Sequence, residues 1–342
     1  MSFRQSISSK FHQFITPNKL SKMVTIPPAR CDLALANLDE IESERLLNAA
    51  TNNKEEKSAE CSYTTNTSLQ NRKENRWTDI LAYDHSLLPG DYLNASLIPP
   101  FPSNQQEGKR KTSFIASQAP LPHTLNTFYE KIIQSKTKLV VNLTPFRERG
   151  RTKADEYWPL QQEQVFNTAT GSDESIGQYS IRQTSESTLL DEKLQATLYS
   201  LEIKSQNGYN PPYELAVLHV TSWADFGNYP EDVFDRLLNI INEQHGKLSA
   251  TSPIWVHCSA GVGRSGTVIA ALMARESDVK DLQLSISSLT TPAQVMEASI
   301  EGATKLIDHE RRYRPRMVQT GEQFEMVAVV IAKQLSANQH AG

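Results

Sequence analysis

Apolar and polar positions follow two rhythms along this chain, and each change of rhythm marks an element. Over 213–223, Leu215, Val217 and His219 alternate with Ala216, Leu218 and Val220, so both faces are largely apolar, as in a central strand. Ile254-Trp255-Val256-His257 predicts the next strand. Between them, Val233, Phe234, Leu237, Leu238 and Ile241 recur at helical spacing. They predict a helix over 230–245, with Pro230 suited to its first turn. A helical stretch at 268–273 follows the second strand, and two more helices are predicted at 291–313 and 322–335. Nearer the N-terminus, Leu38, Ile41 and Leu46 predict a helix over 37–50. Polar residues 51–75 read as a linker or exposed loop, and 99–111 and 161–175 as long surface loops. From Arg76 onward, short apolar runs alternate with turn signals, as in an α/β (α+β) domain built on a mixed sheet flanked by helices.

Composition narrows the function class. The 342 residues are 38% hydrophobic and 22% charged, which suits one large globular domain or two small ones. A net charge of -4 creates no field that would draw the chain to nucleic acid or a membrane surface. The apolar run 326–332 is too short to span a bilayer, so no integral membrane segment is expected. The 3 cysteines, Cys31, Cys61 and Cys258, form neither a disulfide framework nor a Cys-x-x-Cys zinc pair, and imply reducing surroundings. No metal site is expected, and nothing indicates an oligomeric state. Residues 1–31 carry Arg4, Lys10, Lys19, Lys22 and Arg30, with no acid before Asp32. Phe3, Ile7, Phe11 and Phe14 fall there at helical spacing. That segment reads as a tail, a helix packed on the domain, a membrane-surface helix, or a targeting or export signal.

The chemistry is concentrated in His257-Cys258-Ser259-Ala260-Gly261-Val262-Gly263-Arg264-Ser265-Gly266-Thr267. A glycine-rich turn between a strand and a helix points successive N–H groups inward and makes an anion-binding hollow. A cysteine in that hollow feels the positive helix end, which favours its thiolate. The planar fork of Arg264 fits two phosphate oxygens. Gly261-Val262-Gly263-Arg264-Ser265-Gly266 also satisfies the Gly-x-Gly-x-x-Gly dinucleotide pattern, with Asp281 about twenty residues on. Three features oppose that alternative. Arg264 fills space the approaching pyrophosphate needs, Asp281 precedes rather than ends a possible strand, and too little chain follows to complete a doubly wound sheet.

The run from His257 through Ser265 resembles the His-Cys-x5-Arg signature of the protein tyrosine phosphatase family. Further blocks resemble the family's in order: Asn75-Arg76-Trp77-Thr78-Asp79, Asp91-Tyr92-Leu93-Asn94-Ala95-Ser96 and Ser117-Gln118-Ala119-Pro120. They continue with Glu148 through Lys153 to Tyr157-Trp158-Pro159, then Trp223-Ala224-Asp225-Phe226-Gly227, and Gln319-Thr320 with Gln323. The resemblance implies a highly twisted mixed sheet and a catalytic domain over 76–336. A basic segment (1–36), a helix with polar linker (37–75) and a tail (337–342) would flank it.

The resemblance also implies roles. Cys258 is the nucleophile, and Ser259, Ala260, Gly261, Val262 and Gly263 with Arg264 form the phosphate cradle. Ser265 helps the cysteine leave, and Asp225, flanked by Trp223, is the leaving-group acid. Gln323, supported by Gln319, places the hydrolytic water. Trp77 walls the phosphotyrosine ring, Asp79 holds the substrate backbone, and Arg76 and Lys153 lie at the substrate site. Lys153 is expected toward the acid loop, Glu148 toward Arg264, and His257 as a support of the loop. The chain departs from the family pattern at Trp77, where tyrosine is usual, and at Ala224, where proline is usual. Asn228-Tyr229-Pro230 is also longer by one residue. An altered open–closed balance of the acid loop and slower turnover are expected from Ala224. The expected activity is hydrolysis of phosphotyrosine in protein substrates through a cysteinyl-phosphate, without cofactor. The alternatives are a phosphotyrosine-binding pseudo-phosphatase, or an enzyme acting on phosphoserine or phosphoinositides. The expected setting is cytoplasm, or a host cytosol reached by secretion.

Overall fold

The computed structural model describes residues 25–50, 63–102, 111–168, 179–206, 211–225, 227–278, 280–284 and 291–338. The Phe3 to Phe14 spacing, Cys61 and Phe226 lie outside the described residues. The first strands are β1 (Ala95–Ile98), β2 (Phe114–Ser117), β3 (Leu139–Asn142), β4 (Arg147–Glu148) and β5 (Arg151–Thr152). They are followed by β6 (Val165–Asn167), β7 (Tyr179–Gln183), β8 (Thr188–Asp191), β9 (Ala196–Ser205), β10 (Tyr213–Val220) and β11 (Ile254–His257). The main sheet runs β1-β2-β11-β3-β10-β9-β7-β6, with β8 on β9. Its centre, β2-β11-β3-β10, is parallel, and the outer pairs are antiparallel.

The helices are α1 (Pro28–Ala50), α2 (Asn66–Gln70), α3 (Leu125–Gln134), α4 (Glu231–Ser249), α5 (Gly263–Glu276), α6 (Pro292–Arg311) and α7 (Gly321–Asn338). Alternate residues of the central strands feed different cores, which is why these strands lack a polar face. Ala116, Val141, Leu218 and Val256 join the core under α1 and α4 to α7. Ile115, Val140, Val217 and Trp255 join a second core with Phe128 and Tyr129 of α3. Burying each of the Val, Leu, Ile and Phe side chains among them contributes about 1.5–3 kcal/mol. α4 buries the stripe read from sequence, and α6 starts at Thr291 through a capping box with Gln294.

Three expectations change. The helix read over 37–50 begins at Pro28, and its buried side is Cys31, Ala34, Leu35 and Leu38. Ile41 and Leu46 instead face out. Arg30 is no obstacle to the earlier start, because it points outward to Glu297 at 2.5 Å. The described part of the linker, 63–75, is structured: Asp84 accepts the N–H groups of Asn66 and Thr67 and the hydroxyl of Thr64, and Ser68 and Asn75 are buried. The loop read at 161–175 contains β6, an edge strand whose exposed Val165 leaves little apolar alternation to read.

Parallel strands bring their carboxyl ends to one edge, where open α/β sheets bind ligands. Ser117, Asn142 and His257 are aligned in register there. The segments after β2, β3, β10 and β11 leave from this edge, and they contain Gln118, Lys153, Asp225 and Cys258 respectively.

Candidate active site

The loop after β11 needs glycine at Gly261. Its φ is +73°, and a Cβ there would stand 1.8 Å from the Ser117 carbonyl oxygen. The loop is held from outside by its carbonyls. Ser259 O accepts from Ala119 N (3.0 Å), Ala260 O from Arg314 Nη2 (3.0 Å) and Gly261 O from Arg314 Nε (2.8 Å). Val262 O accepts from Val318 N (3.2 Å) and Gly266 N (2.9 Å). In a trans peptide unit the N–H points opposite to the carbonyl, so tying these carbonyls outward turns the following N–H groups inward. Gly261 N, 3.3 Å from Cys258 Sγ, is one of them.

Cys258 is buried at the start of this hollow. Burial acts to raise its pKa, but Arg264, the Ser265 hydroxyl and N–H, and the Gly261 N–H outweigh it and hold the thiol below its ordinary value. The Ser265 hydroxyl lies close enough to favour the thiolate without completing a hydrogen bond, and it has no other partner among the described residues. His257 lies wholly inside. Its Nδ1 donates to the Cys258 carbonyl at 3.0 Å, which leaves Nε2 to accept from the Tyr157 hydroxyl at 2.7 Å. Burial pushes the imidazole down to about 3, so it is neutral and acts as a strut.

Arg264 is 1% exposed and ties the hollow to the segment 223–225. Nη1 donates to Trp223 O (2.8 Å) and Nη2 to Asp225 Oδ1 (3.1 Å). Among the described residues its buried Nε has no partner, and so is a donor available to a ligand. Lys153 Nζ meets the other oxygen of Asp225 at 2.5 Å and lies 5.9 Å from the Trp77 ring centroid. Lys153 is presented by the β4–β5 hairpin, whose turn residues Arg149 and Gly150 both have positive φ, as a tight primed turn requires. Glu148, expected toward Arg264, instead accepts the Asp225 N–H at 3.0 Å through Oε1, while its buried Oε2 has no partner among the described residues. The backbone at Asp225 takes this carboxylate, and the Asp225 side chain takes the place beside Arg264.

Trp77 is 39% exposed, consistent with a wall rather than a core residue. Arg76 differs from its reading as a substrate residue. Its guanidinium reaches Ala119 O (3.0 Å), Pro120 O (2.7 Å) and Asp155 (2.5 Å), which binds the 75–79 segment to the strand edge. Asp79 is exposed and paired with Arg316 at 2.9 Å. Gln319 and Gln323 both reach the loop. A Cβ on Gly263 would lie 2.9 Å from Gln319 Oε1 and 3.2 Å from the Gln323 amide. Gln323 Oε1 is engaged by Gln319 N at 2.9 Å. Gln319, read only as support, thus approaches Gly263 as closely as Gln323 does.

Arg314 escaped the sequence reading, because an arginine in the run Arg311-Arg312-Tyr313-Arg314-Pro315-Arg316 reads as solvated charge. Asp281, the acid of the dinucleotide alternative, pairs with Lys111 at 2.8 Å and ends no strand. Among the described residues, no cluster of His, Cys, Asp and Glu is placed to hold a metal ion, and no helix is long and apolar enough to cross a membrane.

The protein-tyrosine phosphatase family model matches residues 71–333. Receptor-type tyrosine-protein phosphatase eta of Mus musculus is 33% identical over 267 residues, which is 75% of this chain and 18% of that protein. Tyrosine-protein phosphatase non-receptor type 2 of Homo sapiens is 29% identical over 276 residues, 76% of this chain and 56% of that one. The chain thus spans less than two thirds of these relatives. A solved protein tyrosine phosphatase structure from Trypanosoma brucei superposes with a TM-score of 0.60 at 27% identity, covering 87% of this chain and 92% of that one. With the signature loop folded as an anion hollow around Cys258, these matches identify the chain as a member of the protein-tyrosine phosphatase family.

Proposed function

We propose that this chain hydrolyses phosphotyrosine in proteins by two in-line displacements through Cys258. The observation that carries the reading is the shared hollow. A buried sulfur with a lowered pKa, inward N–H groups and the unpartnered Arg264 Nε converge there, with Asp225 at the rim.

Substrate phosphate takes the loop amides and Arg264, so it competes with Asp225 for the guanidinium and releases that carboxyl toward the leaving oxygen. The thiolate attacks phosphorus, forming the S–P bond as the P–O bond to tyrosine breaks, and Asp225 gives its proton to the departing phenol oxygen. Asp225 then draws a proton from water, positioned by Gln323 and Gln319, as that water attacks the cysteinyl-phosphate. The sulfur departs assisted by the Ser265 hydroxyl. Positive charge from Arg264 and the loop dipoles offsets the developing negative charge.

Trp77 supports a phenyl ring over a short serine side chain, since its exposed face beside Lys153 offers a flat apolar wall at the site. A thiolate nucleophile works in reducing surroundings, so we place the activity in a cytosol, whether the cell's own or a host's. Initial rates on phosphotyrosine and phosphothreonine peptides and on a phosphoinositide, with Cys258→Ser as blank, test the reading. Phosphotyrosine turnover well above the other two is expected. Binding without turnover, or preference for either of the others, overturns it.

A further inference from the structure

We propose that Tyr229 is a positioning residue for the leaving-group acid: by bonding to Ser222 it pins the two ends of the 222–229 loop together, and so supplies stiffness where Ala224 offers little. This inference rests on Asp225 being that acid.

The two residues stand at opposite ends of the loop, Ser222 just beyond β10 and Tyr229 just before the Pro230 cap of α4. Ser222 Oγ and Tyr229 Oη are 2.6 Å apart. Burial pushes the Tyr229 hydroxyl up to about 12, so it stays neutral, and either hydroxyl can donate in this bond. The Tyr229 ring packs on the Trp223 ring at 4.8 Å between centroids, and Trp223 meets Phe234 edge-on at 5.8 Å. Inside this frame the Trp223 indole N–H donates to Gly227 O (2.9 Å) and Gly227 N to Ala224 O (3.1 Å).

The pinned Trp223 is the residue whose carbonyl receives Arg264, and its chain neighbour but one is Asp225. A shift of Trp223 therefore displaces the Asp225 carboxyl, while the buried Nε of Arg264, which bonds to neither residue, keeps its place in the hollow. Ala224 leaves φ free where a proline ring would fix it.

First-turnover rates of phenol release test this in the full chain, in Tyr229→Phe, in Ser222→Ala and in the double variant, each with and without Ala224→Pro. Two substrates are needed: a phosphotyrosine peptide, whose phenol leaves poorly without an acid, and an aryl phosphate of an electron-poor phenol, which needs little acid help. Each single variant should slow phosphotyrosine cleavage about five-fold, the loss expected from one hydrogen bond, with apparent affinity unchanged. The electron-poor substrate should lose less, the double variant should be no slower than either single one, and Ala224→Pro should restore most of the rate. Equal losses on both substrates, a loss of affinity alone, no loss, or the same loss in the Ala224→Pro background would each overturn this inference alone. Failure of the unaltered chain to cleave either substrate would overturn the phosphatase reading with it.

Discussion

Arg314 Nε donates to the Gly261 carbonyl at 2.8 Å from a side chain with no exposed surface. The same guanidinium reaches Ala260 O at 3.0 Å and Asn94 Oδ1 at 2.8 Å. Burial lowers its pKa to about 10, which leaves it charged at neutral pH. It therefore holds the peptide units that aim the loop N–H groups while itself standing behind the hollow.

Arg314→Lys keeps the charge and loses the fork, leaving loop carbonyls short of donors. About 2 kcal/mol of stability should go with them, read from denaturant unfolding. kcat/KM on a phosphotyrosine peptide should fall about 100-fold, the scale of losing one oriented donor. A destabilised variant with unchanged kcat/KM would show that the brace does not orient the cradle.

Gly261→Ala and Gly150→Ala separate packing from conformation. Both glycines have positive φ, +73° and +76°. At Gly261 the added carbon meets backbone at 1.8 Å, which no rotamer relieves, whereas at Gly150 it meets nothing within 4 Å. Gly150→Ala should cost about 1–2 kcal/mol of strain by thermal unfolding and retain activity. Gly261→Ala should lose more than that, and lose turnover.

The pH profile of alkylation follows from the thiol environments. A lowered pKa means that Cys258 is half ionised below the ordinary thiol value of 9.0, so the midpoint of its alkylation profile should lie below that pH. Ser265→Ala removes a group that favours the thiolate and should move the midpoint upward. Cys31 behaves oppositely, because burial and then the nearby Glu325, Asp32 and Glu322 push it up to about 12. Mass mapping at neutral pH should find Cys258 alkylated while Cys31 stays free. A Cys258 midpoint at or above 9.0 would contradict this.

What could be read from the sequence depended on the range of the interactions involved. β10, β11 and α4 carry their own periodicity, so their strand and helix character was visible locally. Cys258 and Arg264 lie in one contiguous turn, and the spacing that joins them is part of the sequence itself. Arg76, Asp79 and Glu148 could be placed near the site by resemblance, but their partners could not: a guanidinium fits a carbonyl pair as well as a phosphate. Arg314 acts on Gly261 across a separation of 53 positions, with no local signal to mark it. The early start of α1 was hidden because Arg30 pairs outward and Cys31 packs inward within one turn.

The central claim is that Cys258 carries the phosphoryl group between the two displacements. Rapid acid quench of the full chain with excess phosphotyrosine peptide, followed by peptide mapping, tests it most directly. The account predicts one phosphoryl group on the peptide containing Cys258, formed within the first turnover and more abundant in Gln323→Ala with Gln319→Ala, where water attack is slowed. Turnover with no phosphoryl group on Cys258 at any quench time, or undiminished turnover in Cys258→Ser, would contradict it.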